Sequence, residues 1–172
     1  MVKLIKNKIV KTPNKDQDET TKEKNSDLKE ENIGKSILDV VKEGGFKKLF
    51  EVLKKTNIGN ILDERGPFTV FAPSDTAFEH LSKDTLEDIM GDKYKLRDFV
   101  NFHIVPGIHL SYEFKTFKCF ETLEGENVCL NYMGEKSFVN DSRVIQADIL
   151  AKNGVIHVLD TVLIPEILWS WG

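Results

Sequence analysis

Apolar positions along the chain follow two different periods. From residue 37 to residue 102 the spacing is mostly helical. Ile37, Val40 and Val41 form a stripe behind Ser36, a suitable N-cap, and Gly44-Gly45 stops it. Phe46, Leu49, Phe50 and Leu53 recur at i, i+3, i+4 and i+7, which predicts an amphipathic helix with Asn57 at its exit. Ile58 to Leu62 predicts a short helical turn. Lys83 to Met90 reads as a helix closed by Gly91, and Tyr94, Leu96, Phe99, Val100 and Phe102 carry another. One stretch interrupts this run. Phe68 to Phe71 is aromatic and β-branched, with Gly66-Pro67 before it and Pro73 after it, and predicts a strand. Ser74 or Asp75 then caps a short helix that presents Ala77, Phe78 and Leu81 on one face.

From Thr116 the period shortens to two. Strands are predicted over 117–123, 128–132 and 137–139, turning at Glu124-Gly125 and Met133-Gly134. Two more, over 143–150 and 155–164, are joined by Ala151-Lys152-Asn153-Gly154. Both faces of the last strand are largely apolar, the pattern of a central strand covered on two sides. Helices segregated from a run of strands define an α+β class.

Composition divides the chain unevenly. Residues 1–32 hold eight Lys, seven Asp or Glu and no aromatic residue, and predict a polar, disordered tail. Residues 33–165 predict a single domain, and 166–172 a short tail. The tail's Trp169 and Trp171 either pack back onto the domain, the preferred reading, or form a docking handle. Residues 33–172 carry 16 basic and 21 acidic side chains, which argues against nucleic acid as a partner. Lys47, Lys48, Lys54 and Lys55 could form a phosphate or glycan patch, but a solvated helix face is favoured. The Lys-rich start lacks the apolar stretch of a secretory signal, and no later apolar run reaches the ~20 residues of a membrane-spanning helix.

Candidate chemistry is sparse. Cys119 and Cys129, offset about one register around a turn at Glu124-Gly125, are expected on opposite strand faces as two ordinary thiols. No metal site and no cofactor are expected, because no paired cysteine or histidine motif, phosphate loop or dinucleotide fingerprint occurs. Ser74 follows Ala72-Pro73 rather than sitting in a G-x-S-x-G elbow, so it reads as a cap and not a nucleophile. His80, His103, His109 and His157 are dispersed; His103 and His157 read as core histidines, and Asp160 as a structural acceptor. The chain is not expected to be an enzyme.

Two longer motifs add to this reading. Residues 67–81 resemble the first signature of the fasciclin (FAS1) domain through Thr69, Phe71, Ala72, Pro73, Ser74, Asp75, Ala77 and Phe78. Residues 153–165 are similar to its second signature through Gly154, His157 and Asp160. Phe102-His103, leading into Ile104-Val105-Pro106-Gly107, resembles the family's Tyr-His region with Phe in place of Tyr, and Thr122-Leu123-Glu124-Gly125 resembles its hairpin. The resemblance implies two small β-sheets packed as a wedge with several surrounding helices. It implies a non-enzymatic cell-adhesion or protein-interaction module, binding a cell-surface or extracellular-matrix protein, of integrin type where the organism has one. Asp148 and Ile149, with Phe102 and His103, are the partner-binding candidates that it suggests. An extracellular or cell-surface location follows from the family. The start of the chain favours the alternative, a cytoplasmic small-molecule or lipid-binding domain.

Overall fold

The computed structural model describes residues 34–170. The expectations for residues 1–32 and Trp171 lie outside them, and of Trp169 only the backbone is described. Helix α1 (Ile37–Glu43) starts with a reciprocal cap: Ser36 Oγ accepts from Asp39 N at 3.1 Å, and Asp39 Oδ2 accepts from Ser36 N at 3.3 Å. Helix α2 (Lys47–Thr56) ends at Asn57, whose φ of 61° is the left-handed conformation asparagine tolerates. Helix α3 (Ile58–Arg65) runs longer than the predicted turn. Strand β1 (Phe68–Pro73) leads directly into helix α4 (Asp75–Glu79). Both capping candidates there are used. Ser74 Oγ accepts from Ala77 N at 3.1 Å, while Asp75 Oδ1 reaches α2 and accepts from Lys48 N at 3.0 Å. Helices α5 (Lys83–Met90) and α6 (Lys93–Asn101) follow, capped by Ser82 and Asp92.

The remaining strands are β2 (Ile104–Pro106), β3 (Lys118–Glu121), β4 (Asn127–Met133), β5 (Lys136–Val139), β6 (Ser142–Ala151) and β7 (Gly154–Leu159). Their order is β2-β1-β7-β6-β5-β4-β3. Strand β6 belongs to both halves: Ser142 and Arg143 pair with β5, and Val144 to Ala151 pair with β7. Two small sheets thus meet at one shared strand, the expected wedge. A 3₁₀ segment (Ser111–Lys115) and a last helix α7 (Glu166–Ser170) complete the chain; neither was expected. Strand β7 stops at Leu159, short of the predicted end; beyond it Asp160 and Thr161 are held to the start of β6 partly by side chains, Arg143 N donating to Asp160 Oδ1 and the Ser142 hydroxyl to the Thr161 carbonyl.

Strands β1 and β7 lie parallel at the centre, Phe68 opposite Gly154 and Pro73 opposite Leu159, and every residue of both is buried. Their side chains alternate between two cores, as the period of a strand requires. Phe68, Val70, Ala72 and Ile156 pack against the helices with Ile37, Leu53 and Leu62. Phe71 and Leu159 pack on the other side with Phe102, Phe114, Leu130 and Val139.

The expectation of two free thiols is overturned. Cys119 and Cys129 form a disulfide. The β3–β4 register is centred on Glu124 rather than between Glu124 and Gly125, so the two cysteines stand directly opposite each other. Cys129 uses its backbone N–H and C=O on Asn140 of the next connection. The pair with Cys119 is therefore of the non-hydrogen-bonded kind, in which side chains approach most closely. Closing a loop this short contributes about 2–3 kcal/mol by restricting the unfolded chain.

A methyl group at residue 154 would sit 1.9 Å from the Phe68 carbonyl oxygen, so the β1–β7 approach requires glycine. Gly154→Ala is expected to lower unfolding free energy by about 3 kcal/mol or more. Urea denaturation checks this; a loss below about 1 kcal/mol would show that the strands can separate cheaply.

Candidate functional site

The polar residues of the two central strands converge at one end of the β-wedge. Thr69, fully buried on β1, donates its hydroxyl to the Gly107 carbonyl at 2.7 Å and accepts from His109 N at 2.9 Å. His157, fully buried on β7, donates Nε2–H to the His109 carbonyl at 2.7 Å, which leaves Nδ1 to accept from Asp148 N at 3.1 Å. Its ring lies between Phe71, stacked at 5.8 Å, and Phe114, edge-on at 4.9 Å. The Asp148 carboxylate takes the start of the 3₁₀ segment. Oδ1 accepts from Ser111 N at 2.8 Å, and Oδ2 accepts from the Ser111 hydroxyl. The His109 ring lies 4.0 Å from that of Phe120, tilted by 39°, with Nδ1 3.2 Å from Glu113 Oε1. Backbone from residues 107–111 is thus sewn to β1, β6 and β7 by buried side chains.

Asp148 sits on an irregular part of β6. The β6–β7 register shifts between Val144 and Gln146 and again between Gln146 and Ile149, and Asp148 has a φ of 61°. Asp148 and Ile149 are half-buried, and Ile149 packs on the helix-side core. The exposed large apolar side chains of this strand are Ile145, 51% exposed, and Leu150, 43% exposed. Phe102 and His103 lie elsewhere, inside the protein. Phe102 packs in the wedge core. His103 donates Nδ1–H to the Phe99 carbonyl at 2.8 Å and accepts at Nε2 from Leu163 N at 2.9 Å. Asp160 accepts from Arg143 N at 3.0 Å, fixing the β6–β7 junction. The structure therefore does not bring Phe102-His103 and Asp148-Ile149 to a common surface. Sequence reasoning did not single out Ser111, and no local motif marks it; its partner is 37 residues away.

Burial governs the histidines. Desolvation pushes His103 down to about 4, against the opposing pull of the Phe99 carbonyl. His157 is lowered too, first by burial, with the His109 carbonyl and the Asp148 charge opposing. Both rings are neutral and both have their nitrogens occupied by backbone groups. Among the described residues, no group of three His, Cys, Asp or Glu side chains is arranged to hold a metal ion. No described helix is long and apolar enough to cross a membrane.

Comparison with known proteins gives a consistent family. The pattern described as the Fasciclin domain matches residues 44–165. Human periostin is 37% identical over 136 residues, 78% of this chain and 16% of its own length. The transforming growth factor-beta-induced protein ig-h3 of Sus scrofa is 34% identical over 125 residues, 72% of this chain and 18% of its own length. A protein of Synechocystis sp. is 36% identical over 122 residues, 70% of this chain and 67% of its own length. The chain thus spans less than a fifth of the human and porcine relatives. Among solved structures, a FAS1 domain pair from the insect cell adhesion molecule fasciclin I superposes with a TM-score of 0.61. It shares 16% identity and covers 77% of this chain and 52% of its own.

The depressed histidines set a pH dependence. Below the ordinary value of 6.5 the unfolded chain takes up protons that folded His103 refuses until about 4. Stability is therefore expected to fall as pH drops through that window, by about 3 kcal/mol for His103 alone. Urea midpoints at pH 7 and pH 4.5 measure this; equal midpoints would contradict the burial of a neutral ring.

Proposed function

The chain belongs to the Fasciclin domain family, and on that premise we propose that it is a non-enzymatic adhesion or protein-interaction module that binds a cell-surface or matrix protein. The observation that carries the reading is the β6 bulge. There the register breaks, the backbone of Asp148 turns left-handed, and Ile145 and Leu150 stand in solvent on either side. Bulges re-aim side chains out of a ladder, and solvated apolar groups beside one give a partner something to bury. In this proposal Asp148 and Ile149 hold the bulge in shape, Asp148 through Ser111 and Ile149 through the core, while Phe102 and His103 support the wedge from inside. The fasciclin I structure, described as that of a cell adhesion molecule, has the same fold and supports the reading.

The polar groups support a binding role over catalysis. Ser74 Oγ caps a helix by accepting from Ala77 N, the Ser111 hydroxyl donates to the Asp148 carboxylate, and the buried His103 and His157 spend their nitrogens on backbone groups. Such a site holds backbone in place without activating a nucleophile. Export is part of the proposal, supported by the Cys119–Cys129 disulfide, because such bonds persist in oxidising compartments.

The test uses cells of the source organism on surfaces coated with the protein. Ile145→Ser with Leu150→Ser is expected to abolish attachment while the melting temperature stays within about 2 °C, since both side chains are solvated. Undiminished attachment by the folded double variant would remove the bulge from the partner site.

A further inference from the structure

Of the eleven asparagines in the chain, Asn140 alone begins the pattern Asn-x-Ser/Thr with x other than proline, as Asn140-Asp141-Ser142. That pattern is the acceptor of N-linked glycans, which are bulky and require a surface turn and an amide nitrogen that the fold does not hold. The structure supplies both. The three residues span the connection from β5 into the start of β6, and Asn140 and Asp141 are exposed. Asn140 has a φ of 53°, the left-handed conformation that asparagine visits more readily than other side-chain-bearing residues.

The amide is held by one end only. Asn140 Oδ1 accepts from Cys129 N at 2.9 Å, and Asn140 N donates to the Cys129 carbonyl at 2.8 Å. A backbone N–H must be met by oxygen, so the first bond fixes which way the amide faces and turns Nδ2 away from β4. Among the described residues nothing accepts from Nδ2. Ser142 is placed in the opposite way. It is buried, and its hydroxyl donates to the Thr161 carbonyl at 2.8 Å and accepts from Thr161 N at 3.3 Å. An enzyme that must read this hydroxyl reaches it only before β6 closes on the segment after β7.

We propose that Asn140 is an N-glycosylation site, modified before the domain folds by an oligosaccharide carried on a polyprenyl phosphate or pyrophosphate. In the transfer Nδ2 bonds to the anomeric carbon of the first sugar, and the bond from that carbon to the phosphate oxygen breaks. Nδ2 gives up one proton, the polyprenyl phosphate or pyrophosphate leaves, and nothing is oxidised or reduced. The product is still a planar amide. Its Oδ1 continues to accept from Cys129 N, so folding around the modified side chain forfeits no hydrogen bond. The surroundings agree on the compartment. Cys129, which holds Asn140 by both bonds, is joined to Cys119, and disulfides persist where chains have left the cytosol. The inference rests on the export reading given above and uses none of the residues of the β6 bulge.

The experiment is mass spectrometry of the full chain recovered from medium, envelope and cytosol of its source. Trypsin cleaves after Lys136 and Arg143 and isolates the motif in peptide 137–143. In the exported protein this peptide is expected to carry the mass of an oligosaccharide and to release sugar fragments on collision. Asn140→Asp keeps an oxygen for Cys129 N and tolerates the left-handed backbone, so it should melt within about 2 °C of the parent and carry no sugar. Ser142→Ala should lose the sugar as well, although Nδ2 is intact, because the transferring enzyme reads the hydroxyl. Exported protein with an unmodified peptide 137–143 would overturn the proposal and leave export standing. Unmodified protein found only in the cytosol would overturn both. Sugar retained by Asn140→Asp would place it on another residue and overturn the assignment.

Discussion

The parallel pairing of β1 with β7 is the constraint on which the rest of the structure depends. Six residues of each strand are buried, in register from Phe68–Gly154 to Pro73–Leu159. The two stretches are far apart in sequence, so the pair closes a long loop that only packing on both faces offsets. Asn153, at the mouth of the pair, ties the helices to it. Its side chain accepts from Ile37 N at 2.8 Å and donates to the Leu62 carbonyl, and its own carbonyl accepts from Phe68 N at 3.0 Å. One asparagine thus joins α1, α3 and β1, and the glycine after it permits the closest approach.

The candidate site inherits its geometry from that register. Pairing Phe71 with His157 turns both to the wedge side, where Thr69 also points. From there Thr69 and His157 reach the 107–111 backbone, and Asp148 is drawn in from β6 by the same imidazole. A shift of one residue between the strands would turn either Thr69 or His157 toward the helices and leave the two backbone groups it serves unanswered. Fold and functional surface are therefore coupled: the bulge is presented by the buried polar contacts behind it.

Much of this was legible in the chain because its elements are locally consistent. Ser36 with Asp39, the i, i+3, i+4 stripe of α2, and the turn at Lys152-Asn153 all predict what forms. Full burial of β7 followed from apolar residues on both its faces. Illegible features were set by distant partners. Helix α7 begins where the Glu126 carboxylate accepts from Glu166 N at 2.9 Å, across 40 residues. The disulfide hinged on a half-residue choice of turn centre, which decides whether two side chains share a face. The role of Asp148 depends on Ser111, and nothing near either residue announces the other.

Native-state hydrogen exchange tests the dependence on β1 and β7 most directly. If their pairing is the central constraint, amides of Val70, Ala72, Ile156 and Val158 exchange only by global unfolding. Their opening free energies should then equal that from urea denaturation. Those of the β3–β4 hairpin should open more cheaply, because its outer strand lies at the sheet edge with mostly solvated side chains. Earlier exchange of the β1 and β7 amides than of β3 and β4 would contradict the account.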